Sequence, residues 1–377
     1  MNKGINAPFR YDYVGSFLRP QRLKNARADY KTGKISREDL KAVEDECIID
    51  LVNKQKAAGY HAITDGEFRR SWWHMDFFWG LNGIDYVNTK DGLHFHGETT
   101  KAESAVITGK ISGEHHPFVE HFKFMKALED EHTVVKQTIP APAQLLAQLR
   151  MPEFAKENSA VYPDQEAMKE DIVHAYRQVI QELYDNGCRN LQFDDCTWTL
   201  YADRSMWKMF GMDDEKLKYI AEEEIELNNG AIEGHPSGMV INTHVCRGNF
   251  HSTYANEGAY DPIAPYLFAK ENVNALYLEY DDARSGGFTP LKHVSPDKKV
   301  VLGLVTTKRP ELEDKNTIIR RIHDAAQYVP LENLCLSPQC GFASTEEGNK
   351  LTEEQQWAKL KLVKEIAESV WKDADSF

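Results

Sequence analysis

Eight short runs rich in β-branched and aromatic residues recur along the 377-residue chain, at 11–15, 61–65, 133–138, 190–194, 239–243, 275–279, 299–305 and 333–337. Amphipathic segments of helical period lie between most of them, for example 36–58, 164–186, 261–272, 315–328 and 352–371. A helix between two strands returns the chain to its starting edge, so successive strands run parallel. Eight such units predict an α/β fold, a single (β/α)8 TIM barrel, and the length suits one such domain with insertions. Ser36 with Asp39 three residues on predicts a capping box, while Gly59 and Gly187 suit helix ends. Two stretches, 68–131 after the second run and 197–238 after the fourth, are read as long loops. Both follow strand C-termini, the face on which barrels carry their active sites. No Pro/Gly-rich linker or low-complexity tract divides the chain, so residues 1–377 are expected to form one domain.

Composition narrows the class of partner. With 45 basic and 59 acidic residues the net charge is −14, which repels nucleic acid and anionic membrane surfaces, and no basic patch is segregated. Residues 1–10 lack the apolar core of a signal peptide, and no apolar run approaches the ~18 residues of a membrane span. A cytoplasmic protein acting on small molecules is expected, and a homo-oligomer is allowed. Six cysteines are too few for a disulfide scaffold. Cys47, Cys188 and Cys335 sit in apolar or helix-end contexts and are read as packing residues. Cys196, Cys246 and Cys340 are left for chemistry.

Zinc-type ligands stand near the ends of three runs: Thr243-His244-Val245-Cys246, Leu278-Glu279 and Ser337-Pro338-Gln339-Cys340-Gly341. His244 and Cys246 are two apart in an extended segment and therefore project to one side. Placed at the same end of neighbouring barrel strands, His244, Cys246, Glu279 and Cys340 form a Cys2HisGlu set suited to Zn2+. Two thiolates and a carboxylate overneutralise the dication, which favours holding and activating a thiol over activating water. Asp65-Gly66-Glu67 and Asp194-Asp195 put carboxylates at two more strand ends, where they suit an ammonium group. Such clusters can also hold Mg2+, but GxGxxG and GxxxxGK[ST] are both absent. Gly15-Ser16 offers a turn with N–H groups and a hydroxyl suited to a carboxylate. Trp72-Trp73, Phe77-Phe78-Trp79 and His94, His96, His115 and His116 read either as an aromatic lid or, preferably, as a loop packed on itself; Asp281-Asp282 reads as solvated loop.

Together these motifs resemble the cobalamin-independent methionine synthase family, specifically its C-terminal catalytic barrel, over nearly the whole chain. Asn242-Thr243-His244-Val245-Cys246 is similar to the family's T-H-x-C, Leu278-Glu279 to its glutamate ligand, and Ser337-Pro338-Gln339-Cys340-Gly341 to its N-P-D-C-G. The resemblance implies that His244, Cys246, Glu279 and Cys340 bind zinc. It implies that Gly15 and Ser16 hold the homocysteine carboxylate, and that Glu67 and Asp194 hold its α-amino group. It further implies a 5-methyltetrahydropteroyltri-L-glutamate–homocysteine S-methyltransferase, in which a zinc-bound thiolate takes a methyl group from a folate and forms methionine.

The departures lie on the donor side. Lys308, in Gly303-Leu304-Val305-Thr306-Thr307-Lys308-Arg309-Pro310, stands where the family has a histidine proposed as proton donor, and is the candidate catalytic residue. Gln148 stands where the family has a folate-stacking tryptophan, and the family's S-R-C segment has no clear counterpart. A methylcobamide or a sulfonium compound could therefore replace the folate. The rivals are a zinc thiol-alkyltransferase acting on another thiol such as coenzyme M, a metal-free decarboxylase-like barrel, and a non-catalytic homocysteine-binding or zinc-storing protein.

Overall fold

Seven of the eight runs form one curled, parallel sheet in the computed structural model, which describes residues 5–377. Met1–Gly4, within the opening read for a signal peptide, lie outside the described residues. The strands are β1 (Ala62–Ile63), β2 (Val134–Pro140), β3 (Asn190–Asp195), β4 (Val240–Val245), β5 (Ala275–Glu279), β6 (Lys299–Val305) and β7 (Leu334–Pro338), each paired with the next in chain order. Almost every residue in them is buried, as expected when a parallel sheet is covered on both faces. The order and curl are consistent with a TIM-like barrel. No helix among the described residues is long and apolar enough to cross a membrane.

The first run, 11–15, forms no named strand. It touches the sheet through isolated parallel bridges, Tyr11 with Leu336 on β7 and Ser16 with Gly66 beyond β1. The reason lies in its carbonyls, which are taken by side chains. Lys136 Nζ donates to Tyr13 O (2.5 Å), Gln192 Nε2 to Val14 O (2.9 Å) and Thr64 Oγ1 to Gly15 O (2.6 Å). Only Asp12 N to Leu336 O (3.0 Å), Leu336 N to Arg10 O (2.9 Å) and Phe17 N to Gly66 O (3.1 Å) remain as backbone links to the two sheet edges.

Both stretches read as long loops contain regular structure. After β1 the chain forms a short helix (Met75–Phe78), an antiparallel pair (Asn82–Asn88 with Glu103–Ser112), a second small pair (His94–Phe95 with Glu98–Thr99) and a helix (Pro117–Lys126). The free edge of Glu103–Ser112 is tied down by side chains: Ile107 N donates to Asn158 Oδ1 (2.9 Å) and Ile111 N to Tyr162 OH (2.8 Å). After β3 come Thr197–Ala202, Trp207–Phe210 and the long helix Asp214–Ile232, which buries Leu217, Ala221, Ile225 and Leu227. Conversely, only 3-10 turns join β5 to β6. The capping box at Ser36 is present, with Asp39 N donating to Ser36 Oγ (3.1 Å) and Ser36 N to Asp39 Oδ2 (3.0 Å). Cys47, Cys188 and Cys335 are buried, as read.

Candidate metal centre

Pairing register carries the four ligand candidates to one end of the sheet. Asp194 on β3 lies opposite His244 on β4, and Glu279 closes β5 opposite Gly303 of β6, itself opposite Ser337 of β7. The ligand atoms of His244, Cys246, Glu279 and Cys340 all lie within 4.8 Å of one another, and all four residues are buried. Cys246 Sγ and Cys340 Sγ are 3.8 Å apart. Two sulfurs at ~2.3 Å from a tetrahedral ion stand about 3.7 Å apart, so the thiols are already spaced for one cation. The Cys340 thiol is pushed well above the usual range, first by its hydrogen bond with Cys246 and then by burial. Both can be thiolates together only if a cation sits between them. His244 Nδ1 faces Asp194 Oδ1 (3.0 Å), while Nε2 faces the Gln339 carbonyl oxygen (3.2 Å) and, farther off, Glu279 Oε1 (4.0 Å), so a metal taken by Nε2 would replace its contact with Gln339. Donor types, spacing and the carboxylate behind the imidazole fit a soft divalent ion.

Beside the cluster opens a cavity of about 510 Å³, lined among others by Ser16, Glu67, Asp194, His244, Cys246 and Cys340. Glu67 adopts φ +61°, a left-handed conformation that costs a non-glycine residue about 1 kcal/mol or more and aims the side chain inward. Its Oε1 accepts from Thr138 Oγ1 (3.0 Å) and Arg70 Nη1 (3.2 Å), while Oε2 is buried without a partner. Burial raises the Glu67 carboxyl to about 7; Arg70 opposes the shift and Asp194 adds to it. An ammonium group would supply the partner that Oε2 lacks. Gly15 lies behind the lining: its φ is +149°, and a Cβ there would stand 2.9 Å from Thr138 Cγ2. Ser16 faces Gly341, whose missing side chain makes room for the Ser16 hydroxyl; Phe342 N donates to Ser16 O (2.9 Å) and Ala343 N to Ser16 Oγ (3.3 Å).

Residues 11–369 match the family model described as "Cobalamin-independent synthase, Catalytic domain". The chain belongs to the cobalamin-independent methionine synthase family. It is 44% identical over 369 residues to the uncharacterized protein YxjG of Bacillus subtilis (strain 168), covering 97% of this chain and 95% of that one. A Listeria monocytogenes structure, provisionally named a vitamin-B12 independent methionine synthase, superposes with a TM-score of 0.77 at 38% identity, over 97% of this chain and 98% of that one. The B12-independent methionine synthase of Shewanella sp. W3-18-1, in complex with selenomethionine, gives 0.75 at 20% identity over 98% and 99%, a likeness of fold. Membership in the synthase family supports methyltransferase chemistry on small molecules in methionine biosynthesis, and a metal-dependent centre.

Lys308 stands apart from the other candidates of this family member. It does not line the cavity; its buried Nζ has no hydrogen-bond partner and lies 4.0 Å from Glu279 Oε2. Arg284 joins it there, donating from Nη2 to Glu279 Oε2 (3.2 Å) and Asp281 Oδ1 (2.7 Å), while Arg247 N donates to Glu279 Oε1 (3.0 Å). Asp281, read as solvated, is thus a buried ion-pair partner. The sequence offered no signal for Arg284, which reaches the ligand from a 3-10 turn, Ala283–Ser285. The aromatic stretch divides: Phe77 and Phe78 join the core, while Trp72, Trp73, His74 and Phe95 line the cavity. Cys196 also lines it, its free thiol hydrogen-bonded with that of Cys246.

Proposed function

We propose that this protein is a zinc-dependent thiol S-methyltransferase that forms methionine from homocysteine, working as one catalytic (β/α)8 domain over residues 1–377. In this reading the run 11–15 is the eighth stave, and the location is cytoplasmic. The observation that carries the proposal is the adjacency of the four convergent ligands to the unpartnered Glu67 Oε2. His244, Cys246, Glu279 and Cys340 would hold the zinc, which when bound would keep an incoming thiol as a thiolate at neutral pH.

Each remaining residue then has a task. Glu67 and Asp194 receive the substrate ammonium, which favours homocysteine over a sulfonate thiol that has none. Ser16 and the turn at Gly15 receive the carboxylate. Asp194 also orients the His244 ring. Lys308 and Arg284 hold the Glu279 carboxylate from its outer side, a role their distances favour over proton delivery to a donor in the cavity. The test pairs metal analysis after dialysis with turnover. About one zinc per chain is expected in the wild type and much less in Cys340→Ser, with methionine formed from homocysteine and a methyl donor. Substoichiometric zinc in the wild type, undiminished zinc in the variant, or no methionine from any donor would sink the proposal.

A further inference from the structure

The walls of the cavity bear on the methyl donor. One wall is a cluster of rings: His74 stacks on Trp73 at 4.4 Å and meets Trp72 edge-on at 5.7 Å, centroid to centroid. Another is the pair Phe95 and Phe250, at 5.4 Å. Burial lowers His74 to about 3, so this ring is neutral at working pH. Outside the metal ligands, the carboxylates facing the cavity are Glu67 and Asp194, and among the described residues no lysine or arginine lines it. A donor that brings carboxylates finds no cation there to meet them. A donor that brings a positive charge finds aromatic faces, Glu67 and Asp194 being taken by the substrate ammonium.

Proton supply points the same way. A methyl group leaves a tertiary amine readily only if the nitrogen is protonated, and the lysine available nearby, Lys308, is turned to Glu279 behind the cavity wall. A sulfonium needs no proton. The homocysteine sulfur donates a lone pair to the methyl carbon, the carbon–sulfonium bond breaks, and its electron pair stays on the donor sulfur as a neutral thioether. The proton of the homocysteine thiol has already gone to solvent. A thiolate and a sulfonium annihilate their charges as they react, so a poorly hydrated, apolar cavity favours the transition state over the separated ions.

We infer that the methyl donor is a sulfonium, held between the Trp72–His74–Trp73 ring cluster and the Phe95–Phe250 pair. This rests on the methyltransferase reading above. The test supplies the zinc-loaded protein with deuterated homocysteine and, in separate reactions, S-methylmethionine, methyltetrahydrofolate as mono- and triglutamate, or methylcobalamin. Deuterated methionine from S-methylmethionine is expected, at a rate well above that with the other donors. Trp73→Ala is expected to raise KM for the sulfonium about tenfold, with zinc content unchanged and Trp73→Phe largely restoring it. Deuterated methionine from the folate or the cobalamin alone overturns the donor assignment and leaves the methyltransferase reading standing. None from any donor overturns both. An unchanged sulfonium KM in Trp73→Ala overturns the aromatic seat.

Discussion

Two sets of buried charges lie inside this barrel-like sheet, and they are treated oppositely. Around the first run, Asp12 and Lys136 are fully buried and fully partnered: Lys136 Nζ donates to Asp12 Oδ1 (2.7 Å), Tyr13 O (2.5 Å) and Tyr277 OH (3.0 Å), and Tyr277 OH donates to Asp12 Oδ2 (2.8 Å). At the strand C-termini, Glu67 Oε2 and Lys308 Nζ are just as dry but have no hydrogen-bond partner. Burying an ionisable group without a partner costs stability, and folding alone gives no reason to bear that cost. The satisfied set builds the fold; of the unsatisfied pair, Glu67 faces the cavity, where a ligand can reach it, and Lys308 faces Glu279.

That contrast can be broken by experiment. Lys136→Met strands Asp12 and should cost about 3–5 kcal/mol in urea unfolding, with zinc affinity per folded molecule unchanged. A loss below 1 kcal/mol would erase the distinction. Next in size is the pH dependence of Glu67. Its carboxyl rises from the ordinary 4.5 to about 7, so the native state holds a proton that the unfolded chain releases. The stability this confers is full below about pH 4.5 and lost as pH rises through about 7, a change of about 3 kcal/mol that Glu67→Gln should abolish. Homocysteine affinity should move the other way, strengthening as the carboxylate forms.

Asp194→Asn tests how the two demands meet at one residue. Replacing the acceptor of the His244 proton should weaken zinc binding ~10–100-fold in a competitive chelator titration, with little change in unfolding free energy. The smallest effect is expected at Lys308. Removing a buried cation that makes no hydrogen bond and only a 4.0 Å ion pair with Glu279, in Lys308→Met, should leave stability within about 1 kcal/mol of wild type, against the large loss at Lys136. A loss comparable to Lys136→Met would mean that the long contact with Glu279 is structural.

The convergence of the four candidate ligands was legible because strand ends are legible. Once His244, Cys246, Glu279 and Cys340 are placed at one end of parallel neighbours, register brings them together. Ser16, Glu67 and Asp194 followed for the same reason. Lys308 did not, since its segment is held by side-chain contacts that strand periodicity does not show: Thr307 N donates to Gln339 Oε1 (2.7 Å) and Thr306 N to Glu313 Oε1 (2.9 Å), just beyond β6, and the lysine faces Glu279. Arg284 was invisible because an arginine after an Asp-Asp pair looks like surface until Asp281 is found buried. The two stretches taken for loops hid a hairpin edge capped by Asn158 and Tyr162, partners some fifty residues away.

The contact between Ser16 and the segment after Cys340 has a consequence for how the molecule comes into being. Ser16 O and Oγ accept from Phe342 N and Ala343 N, 326 and 327 residues later, and Cys340, the last of the four candidate ligands, lies on that same late segment. A chain still emerging from the ribosome therefore carries His244, Cys246 and Glu279 before it carries Cys340. In the proposed reading, the metal site and the substrate seat are completed together, once the last segments of the chain are made.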